Sequence, residues 1–419
     1  MVYERSSTFP HGGDWVTYGE SYGGEILDFS ANVSPLGLPA SVKEAICSSL
    51  ETASRYPDPE CRRLRRAIAD KYGLSCEDIL CGNGAADLIY RLAYAAWPGK
   101  ALVPAPDFQE YEAALRQVGC EVVYWEWMGG MAAQEAELEQ AAGRLDLLGG
   151  SFGREAEPEA KSGQESGRLD LIGGFLEGGA DQKPKLRQLT RMPDLPATML
   201  EDGLEMVILS NPNNPSGLIY SRDSLEKLLM QCEERNILLV ADECFMDFVE
   251  SRERCTLLSL VERYRCLCVL RAFTKFYGMA GLRLGWCATS NRDLIERMGK
   301  AGPPWSVSMP AQEAGVAALR DEGYEACLRE LISEERCRMQ GRLRDMGFFV
   351  LPGEANYVLF HAGQADLACR LMERGFAIRD CSNYRGLGKG WFRAAVRLRE
   401  ENEALMEAVR QVFAERFSI

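Results

Sequence analysis

Short apolar segments alternate with helical patterns over the first two thirds of the chain. Six of these segments are predicted strands: 78–81, 101–103, 121–125, 206–210, 237–241 and 266–270. The last three follow one another at intervals of about thirty residues, a spacing typical of strands joined by crossover helices. Because continuous apolar runs suit strands covered on both faces, the pattern predicts a doubly wound, mostly parallel α/β sheet. Ligands of such sheets bind at the carboxyl ends of the strands.

The pattern changes after the Gly-Pro-Pro segment at 302–304. It predicts a long helical stretch at 311–346, short strands at 348–351, 357–361 and 392–396, and an amphipathic helix at 401–417. This order of elements is typical of a smaller α+β domain. The first 45 residues are too few to fold alone. We therefore predict a large domain at 46–297 and a small domain formed by 1–45 and 298–419.

One stretch, at about 128–200, fits neither domain because it is rich in Gly, Glu and Ala and has weak periodicity. It contains an imperfect duplication, since residues 143–150 recur as residues 167–174. Two copies are too few for a solenoid. The stretch is interpreted as a mobile surface insertion, and a working module is the alternative.

Composition narrows the class of protein. The chain has 419 residues, of which 46% are hydrophobic and 26% charged, which is typical of a globular protein with two domains. A formal net charge of −14 argues against a nucleic-acid partner. No apolar run approaches the roughly 18 residues of a membrane-spanning helix, and the N-terminus lacks the apolar region of a secretion signal. We therefore expect a cytoplasmic protein without a membrane partner.

The cysteines do not predict a metal site. The chain has fifteen cysteines, which are scattered without any CxxC pair, and two histidines. This spacing does not suit zinc, so no metal is expected. Buried free thiols in a reducing cytoplasm are the interpretation that we adopt.

Four features at predicted strand ends are candidates for catalysis or ligand binding. Lys275 lies between apolar segments, Asp242 directly follows a strand, Gly82-x-Gly84 opens a helix, and Asn214 stands between two prolines. Each also has an ordinary structural interpretation: a surface lysine, a helix cap, a simple turn before a helix, and a turn former. Together they match the needs of pyridoxal phosphate, which takes a lysine for its aldehyde and a carboxylate for its ring nitrogen. The cofactor phosphate needs a helix N-terminus and an arginine, for which Arg283 is the candidate.

These motifs resemble the fold-type I aminotransferases of the histidinol-phosphate aminotransferase group. The resemblance rests on Asn-Pro-Asn-Asn-Pro-Ser-Gly at 211–217, Asp-Glu at 242–243, and the stretch 274–285. Further segments resemble one subgroup, the threonine-phosphate decarboxylases of cobalamin biosynthesis: 11–13, 29–37, 304–307, 378–387 and 392–397. The resemblance covers nearly the whole chain except the insertion.

The resemblance implies a homodimeric decarboxylase with pyridoxal phosphate as its cofactor. It would convert L-threonine O-3-phosphate to (R)-1-amino-2-propanol O-2-phosphate. Lys275 would bind the cofactor aldehyde and move protons, and Asp242 would hold the proton on the ring nitrogen. Asn214 would hydrogen-bond the ring hydroxyl, and Phe108 would stack on the ring.

The same resemblance assigns residues to the anionic groups. The cofactor phosphate is implied to contact the backbone N–H groups of Ala85 and Ala86, the Thr274 hydroxyl, Arg283, and Tyr56 of the partner subunit, so that the two active sites are shared. The substrate carboxylate is implied to contact Arg393, and the substrate phosphate is implied to contact His11, Asn32 and Arg379.

Four positions depart from the pattern of these relatives: Ala272, Phe245, Ser34 and Ser308. Ala272 stands where they carry Ser or Thr facing the phosphate, and Phe245 replaces a tyrosine near the ring hydroxyl. Two other functions stay open: a histidinol-phosphate or related aminotransferase, and a cofactor-binding regulator. The sequence shows neither a helix-turn-helix extension nor a basic patch that would favour the regulator.

Overall fold

The computed structural model describes residues 12–128 and 189–415. Its strands are β1 (Leu27–Asp28), β2 (Ile79–Gly82), β3 (Lys100–Ala105), β4 (Glu121–Glu126), β5 (Met206–Ser210), β6 (Leu238–Asp242), β7 (Leu267–Ala272), β8 (Gly285–Ala288), β9 (Phe349–Val350), β10 (Tyr357–His361), β11 (Phe376–Ala377), β12 (Arg379–Asp380) and β13 (Trp391–Ala395). Its α-helices are α1 (Trp15–Tyr22), α2 (Ala40–Ser49), α3 (Arg62–Tyr72), α4 (Gly84–Ala96), α5 (Gln109–Gln117), α6 (Arg222–Arg235), α7 (Arg252–Cys255), α8 (Phe273–Phe276), α9 (Arg292–Lys300), α10 (Met309–Ala318), α11 (Glu322–Asp345), α12 (Leu367–Met372) and α13 (Arg399–Ala414).

The largest sheet has seven strands in the order β2-β8-β7-β6-β5-β3-β4. All six predicted strands are present, with bounds within two residues of those expected. The run from β7 to β4 is parallel, whereas β8 is antiparallel to both of its neighbours. The sequence did not predict β8, because its four residues are too few to show periodicity. The predicted mostly parallel α/β sheet is confirmed.

Side chains of the central strands alternate between two apolar clusters. In β5, Val207 and Leu209 belong to one cluster, and Met206 and Ile208 belong to the other. Successive side chains of a strand point to opposite faces of the sheet, so both faces are covered. One cluster includes side chains from α4, α5 and α9, and the other includes side chains from α6. Covered faces explain why these strands read as continuous apolar runs.

The C-terminal region forms a second sheet with the order β12-β13-β10-β9. The long helical stretch predicted at 311–346 is present as two helices, α10 and α11. The helix α11 has its own N-cap, Asp321, whose side chain accepts a hydrogen bond from the Tyr324 N–H at 3.1 Å. The sequence has no Gly or Pro between these helices to mark the break.

The N-terminal segment joins the C-terminal strands, since β1 pairs in parallel with β11. Residues 129–188, which hold the duplicated segment of the predicted insertion, lie outside the described residues. The later part of that stretch does not belong to a surface insertion. Leu189, Met192 and Leu200 are buried in the main core, and the Met192 N–H donates to the Ile219 carbonyl at 2.9 Å.

The fifteen cysteines are free thiols, and four of them are exposed rather than buried: Cys47, Cys327, Cys337 and Cys369. All four lie on helices. Within the described ranges, no group of three or more His, Cys, Asp or Glu side chains could hold a metal ion. None of the helices in these ranges combines the length and the apolar character needed to span a bilayer.

Candidate active site

A cavity of about 480 Å³ opens where β5, β6 and β7 end. These carboxyl ends lie side by side because Ser210 pairs with Asp242, and Asp242 pairs with Leu270. Eleven of the predicted site residues line the cavity: Asn32, Ala85, Ala86, Phe108, Asn214, Asp242, Thr274, Lys275, Arg283, Arg379 and Arg393. His11 lies outside the described residues, and its neighbour Gly12 lines the cavity.

Asp242, the last residue of β6, is held by two hydrogen bonds. Its Oδ2 accepts from the Tyr111 hydroxyl at 2.7 Å, and its Oδ1 accepts from the Cys244 N–H at 2.9 Å. The carboxylate is buried, and a buried carboxylate needs such donors or a cationic partner. These two donors hold the Asp242 side chain in place in the cavity wall.

Lys275 lies in the short helix α8, directly after β7. Burial and the positive charges of Arg393 and Arg283 together lower the pKa of its ammonium to about 8, against the opposing charge of Asp242. A lysine with a lowered pKa is a nucleophile near neutral pH. The cavity therefore contains an amine that can react with the aldehyde of a ligand.

This lowered pKa predicts how the apoprotein takes up pyridoxal phosphate. Only the uncharged amine attacks an aldehyde, so the rate of uptake, followed by absorbance, should rise with pH through a midpoint of about 8. The Arg393→Gln change removes a nearby cation and should move the midpoint upward. Uptake that does not depend on pH, or a midpoint at the usual lysine pKa of 10.5, would contradict this assignment.

The N-terminal turn of α4 forms the second end of the cavity. Ala85 and Ala86 lie in this turn, and the side chain of its N-cap Asn83 does not cap it. Gly84 has a φ of +86°, and a Cβ there would lie 2.9 Å from Nη2 of Arg283. Glycine thus lets the guanidinium approach the turn. A helix N-terminus beside an arginine is suited to binding a phosphate.

Arg393 links two distant segments of the chain that line the cavity. One of its Nη atoms donates to Asn214 Oδ1, and the other donates to the Ser30 carbonyl at 3.2 Å. Since its Oδ1 is engaged, Asn214 presents its Nδ2 donor to a ligand. Phe245, which also lines the cavity, packs edge-on against Tyr357 and supplies no hydroxyl there.

Arg379 and Arg393 are directly opposite each other on the antiparallel strands β12 and β13. Side chains of directly opposed residues lie on the same face of a sheet. Both side chains line the cavity that Lys275 also lines, so two guanidinium groups and the lysine amine border the same space. The arrangement can hold two anionic groups of one ligand.

Tyr56 does not join this cavity. Its side chain is 77% exposed and stacks on the half-exposed Trp305, with ring centroids 4.5 Å apart. Two exposed, stacked aromatic rings form an apolar surface patch.

Sequence reasoning missed the residues that support the predicted ones. The hydroxyl of Tyr111 holds Asp242, and Ser210 accepts from the Asn214 N–H at 2.9 Å. Asp107 in turn accepts from the Ser210 N–H at 3.1 Å, and burial raises the pKa of its carboxyl to about 7. A polar residue at the end of an otherwise apolar strand, such as Ser210 in β5, is the signal that could have revealed this support.

The chain matches the family model for aminotransferase class I and II over residues 24–146 and 190–409. It belongs to this family. The unmatched segment 147–189 falls within the predicted insertion. Proteins of the class I and II aminotransferase family use pyridoxal phosphate, and this chain is a pyridoxal-phosphate-dependent enzyme of fold type I.

Three relatives illustrate the range of this aminotransferase family. A threonine-phosphate decarboxylase of Salmonella typhimurium is 32% identical over 93% of this chain and 91% of its own length. A histidinol-phosphate aminotransferase of Archaeoglobus fulgidus is 28% identical over 93% of each chain. The crystal structure of the histidinol-phosphate aminotransferase from Clostridium acetobutylicum has a TM-score of 0.71 and 25% identity, covering 92% of this chain and 99% of that one.

The cavity fits the family's cofactor in its donor chemistry. It combines an amine, a carboxylate, an aromatic ring and a helix N-terminus with an arginine. Two polar atoms of its wall, Asn32 Oδ1 and Arg393 Nε, are buried without a hydrogen-bond partner among the described residues. Buried polar atoms are normally paired, so such a wall is suited to a polar ligand.

Proposed function

We propose that the enzyme decarboxylates L-threonine O-3-phosphate to (R)-1-amino-2-propanol O-2-phosphate, a step of cobalamin biosynthesis. The observation that carries the proposal is the pair Arg379 and Arg393, which face one cavity together with Lys275. The substrate has two anionic ends, and the cavity has two guanidinium anchors. The 32% identity to the Salmonella typhimurium threonine-phosphate decarboxylase supports the same reaction.

The two anchors decide which substrate bond is exposed to cleavage. We assign the carboxylate to Arg393 and the phosphate to Arg379 and Asn32, with His11 as a further phosphate contact. Each guanidinium can bind an oxyanion through two parallel hydrogen bonds, which fixes direction as well as distance. Two fixed ends prevent rotation about the Cα–N bond of the substrate, whereas one end would not.

The remaining residues are assigned to the cofactor. Pyridoxal phosphate, when bound, supplies an aldehyde that condenses with amines and a ring that withdraws electrons from the substrate. We assign the ring nitrogen to Asp242, the ring hydroxyl to Asn214 and the ring face to Phe108. The cofactor phosphate is assigned to the N–H groups of Ala85 and Ala86, the Thr274 hydroxyl and Arg283.

Lys275 is assigned two tasks. Its amine would hold the cofactor through the aldehyde. When the bond between Cα and the carboxylate breaks and carbon dioxide leaves, the electron pair of that bond stays at Cα. A proton must then bind to Cα in place of the carboxylate. Burial lowers the pKa of the Lys275 amine, which suits it to carrying that proton.

The decisive experiment supplies the cofactor-loaded protein with L-threonine O-3-phosphate and follows carbon dioxide and the amino alcohol phosphate. We expect both to form in equal amounts without any amino acceptor. Amino transfer between histidinol phosphate and 2-oxoglutarate, with no carbon dioxide from threonine phosphate, would instead identify an aminotransferase. Histidinol phosphate has no carboxylate, so it would leave one of the two arginines without its anion.

We also propose that the enzyme is a homodimer in which Tyr56 reaches the cofactor phosphate of the partner subunit. The exposed stack of Tyr56 and Trp305 supports this, because it forms an apolar surface outside its own cavity. A homodimer built in this way shares its two active sites.

Tyr56→Phe should weaken cofactor retention by about 1.5–3 kcal/mol, the contribution of one hydrogen bond to a charged group. Dialysis followed by absorbance measures this loss. Tyr94→Phe is the matched control, because Tyr94 is also an exposed tyrosine beside a tryptophan. At limiting cofactor, where the Tyr56 variant has lost its activity, mixing it with a Lys275→Ala variant should restore activity, since one composite site per mixed dimer is intact. No recovery on mixing would show that the sites are not shared.

A further inference from the structure

A short loop of the C-terminal region, residues 381–387, touches the first turn of α5. The Gln109 side chain donates from Nε2 to the Asn383 carbonyl at 2.7 Å. In return, Asn383 donates from Nδ2 to Gln109 Oε1 at 3.4 Å. Both ends of the Gln109 amide therefore engage one residue of the loop.

Asn383 also contacts Arg379, which lines the cavity. Its Oδ1 accepts a hydrogen bond from Nη2 of Arg379 at 2.9 Å. An asparagine amide has one donor end and one acceptor end. Because Gln109 occupies the donor end, the oxygen of Asn383 is directed at Arg379. The opposite orientation would bring an NH2 group against the guanidinium.

We propose that Gln109 is a positioning residue for the phosphate group of the substrate, acting on Arg379 through Asn383. The inference rests on the proposed function in assigning the phosphate to Arg379. An amide in this position orients the guanidinium without adding a negative charge beside it. The guanidinium also lies over the ring of Tyr384, with its carbon 5.6 Å from the ring centroid. These contacts together fix the direction in which Arg379 presents its donors.

The loop has a second attachment that does not involve Gln109. The Arg385 guanidinium lies 3.9 Å from the ring centroid of Tyr124 and 3.6 Å from the Glu126 carboxylate, both on β4. Loss of Gln109 should therefore leave the loop attached. Its effect should be confined to the orientation of Asn383 and Arg379.

The test is the steady-state decarboxylation of L-threonine O-3-phosphate by the cofactor-loaded enzyme. Gln109→Ala should raise KM about three- to tenfold, the range of one neutral hydrogen bond, should lower kcat by a smaller factor, and should leave the cofactor spectrum unchanged. Gln109→Met, which keeps the length of the side chain, should do the same. Gln117→Ala is the matched control, because this exposed glutamine lies at the other end of α5. An unchanged KM, or a changed cofactor spectrum, would overturn the proposal.

Two further variants separate orientation from charge. Asn383→Asp places a negative charge beside Arg379 and should raise KM more than Asn383→Ala does. In an Arg379→Ala background, Gln109→Ala should have no further effect, since residues of one relay are not additive. An equal effect of Gln109→Ala in both backgrounds would overturn the relay.

Calorimetry with inorganic phosphate distinguishes the two failures. If the enzyme releases no carbon dioxide from threonine phosphate, the proposed function fails. The relay is then supported if Gln109→Ala, and not Gln117→Ala, weakens phosphate binding to the cofactor-loaded protein, and it is overturned if both variants bind phosphate equally.

Discussion

Replacing Lys275 with alanine is expected to abolish decarboxylation. The loss should be at least about 10³-fold, because general acid–base catalysis alone contributes about 10²–10⁴-fold and this residue also binds the cofactor. The visible absorbance of the covalently bound cofactor should disappear as well. Carbon dioxide release and the absorption spectrum measure the two losses separately.

A lysine elsewhere provides the control for this change. Lys300 lies at the end of α9, where it pairs with Glu296 on the surface, so Lys300→Ala should leave both readouts unchanged. If borohydride still attached the cofactor to the Lys275→Ala chain, the covalent bond would belong to another lysine.

Asp242→Asn is expected to lower the rate by about 10²–10⁴-fold while the chain still folds. Removing one partner of a buried charge pair costs about 3–5 kcal/mol. Each 1.36 kcal/mol is about a tenfold change in rate. The substitution keeps the shape of the side chain, and Asn can still accept from the Tyr111 hydroxyl or the Cys244 N–H. It removes the negative charge that we assign to the cofactor ring nitrogen.

Glu243→Gln is the matched control, because it makes the same change one residue further along the chain. Glu243 is fully buried and pairs with Arg271, with 3.2 Å between Nε and Oε2. Its loss should lower Tm but leave the cofactor spectrum unchanged. Equal rate losses in Glu243→Gln and Asp242→Asn would show that the Asp242 effect is a general loss of buried charge.

The sequence predicts the large sheet well because its strands are buried on both faces. Their apolar runs stand out against the polar segments that follow, as in Met206–Ser210, where predicted and observed bounds coincide. The small elements are different. The two-residue strands β1 and β11 form only where distant parts of the chain meet, and β12, which pairs with the nearby β13, is too short to show alternation, so no local pattern marks them.

The same contrast holds for the cavity. Lys275, Asp242 and Asn214 follow strands of one sheet edge, so their proximity could be predicted from strand topology. Arg379 and Arg393 were assigned by resemblance, and their opposition across β12 and β13 became visible only in the folded chain. Supporting contacts such as that of Gln109 with Asn383 join residues 274 positions apart, which no periodicity reveals.

The guanidinium groups of the cavity lie within a protein of formal net charge −14. A dianionic ligand approaching from solution therefore meets repulsion at long range and attraction only at the mouth of the cavity. Ions screen exposed charges beyond about 8 Å at physiological ionic strength, and they screen partly buried charges much less. Added salt should first speed the entry of phosphorylated ligands by weakening the repulsion, and at higher concentration it should slow capture by weakening the attraction. The association rate would then pass through a maximum, in contrast to a basic protein, for which salt only slows the encounter with an anion.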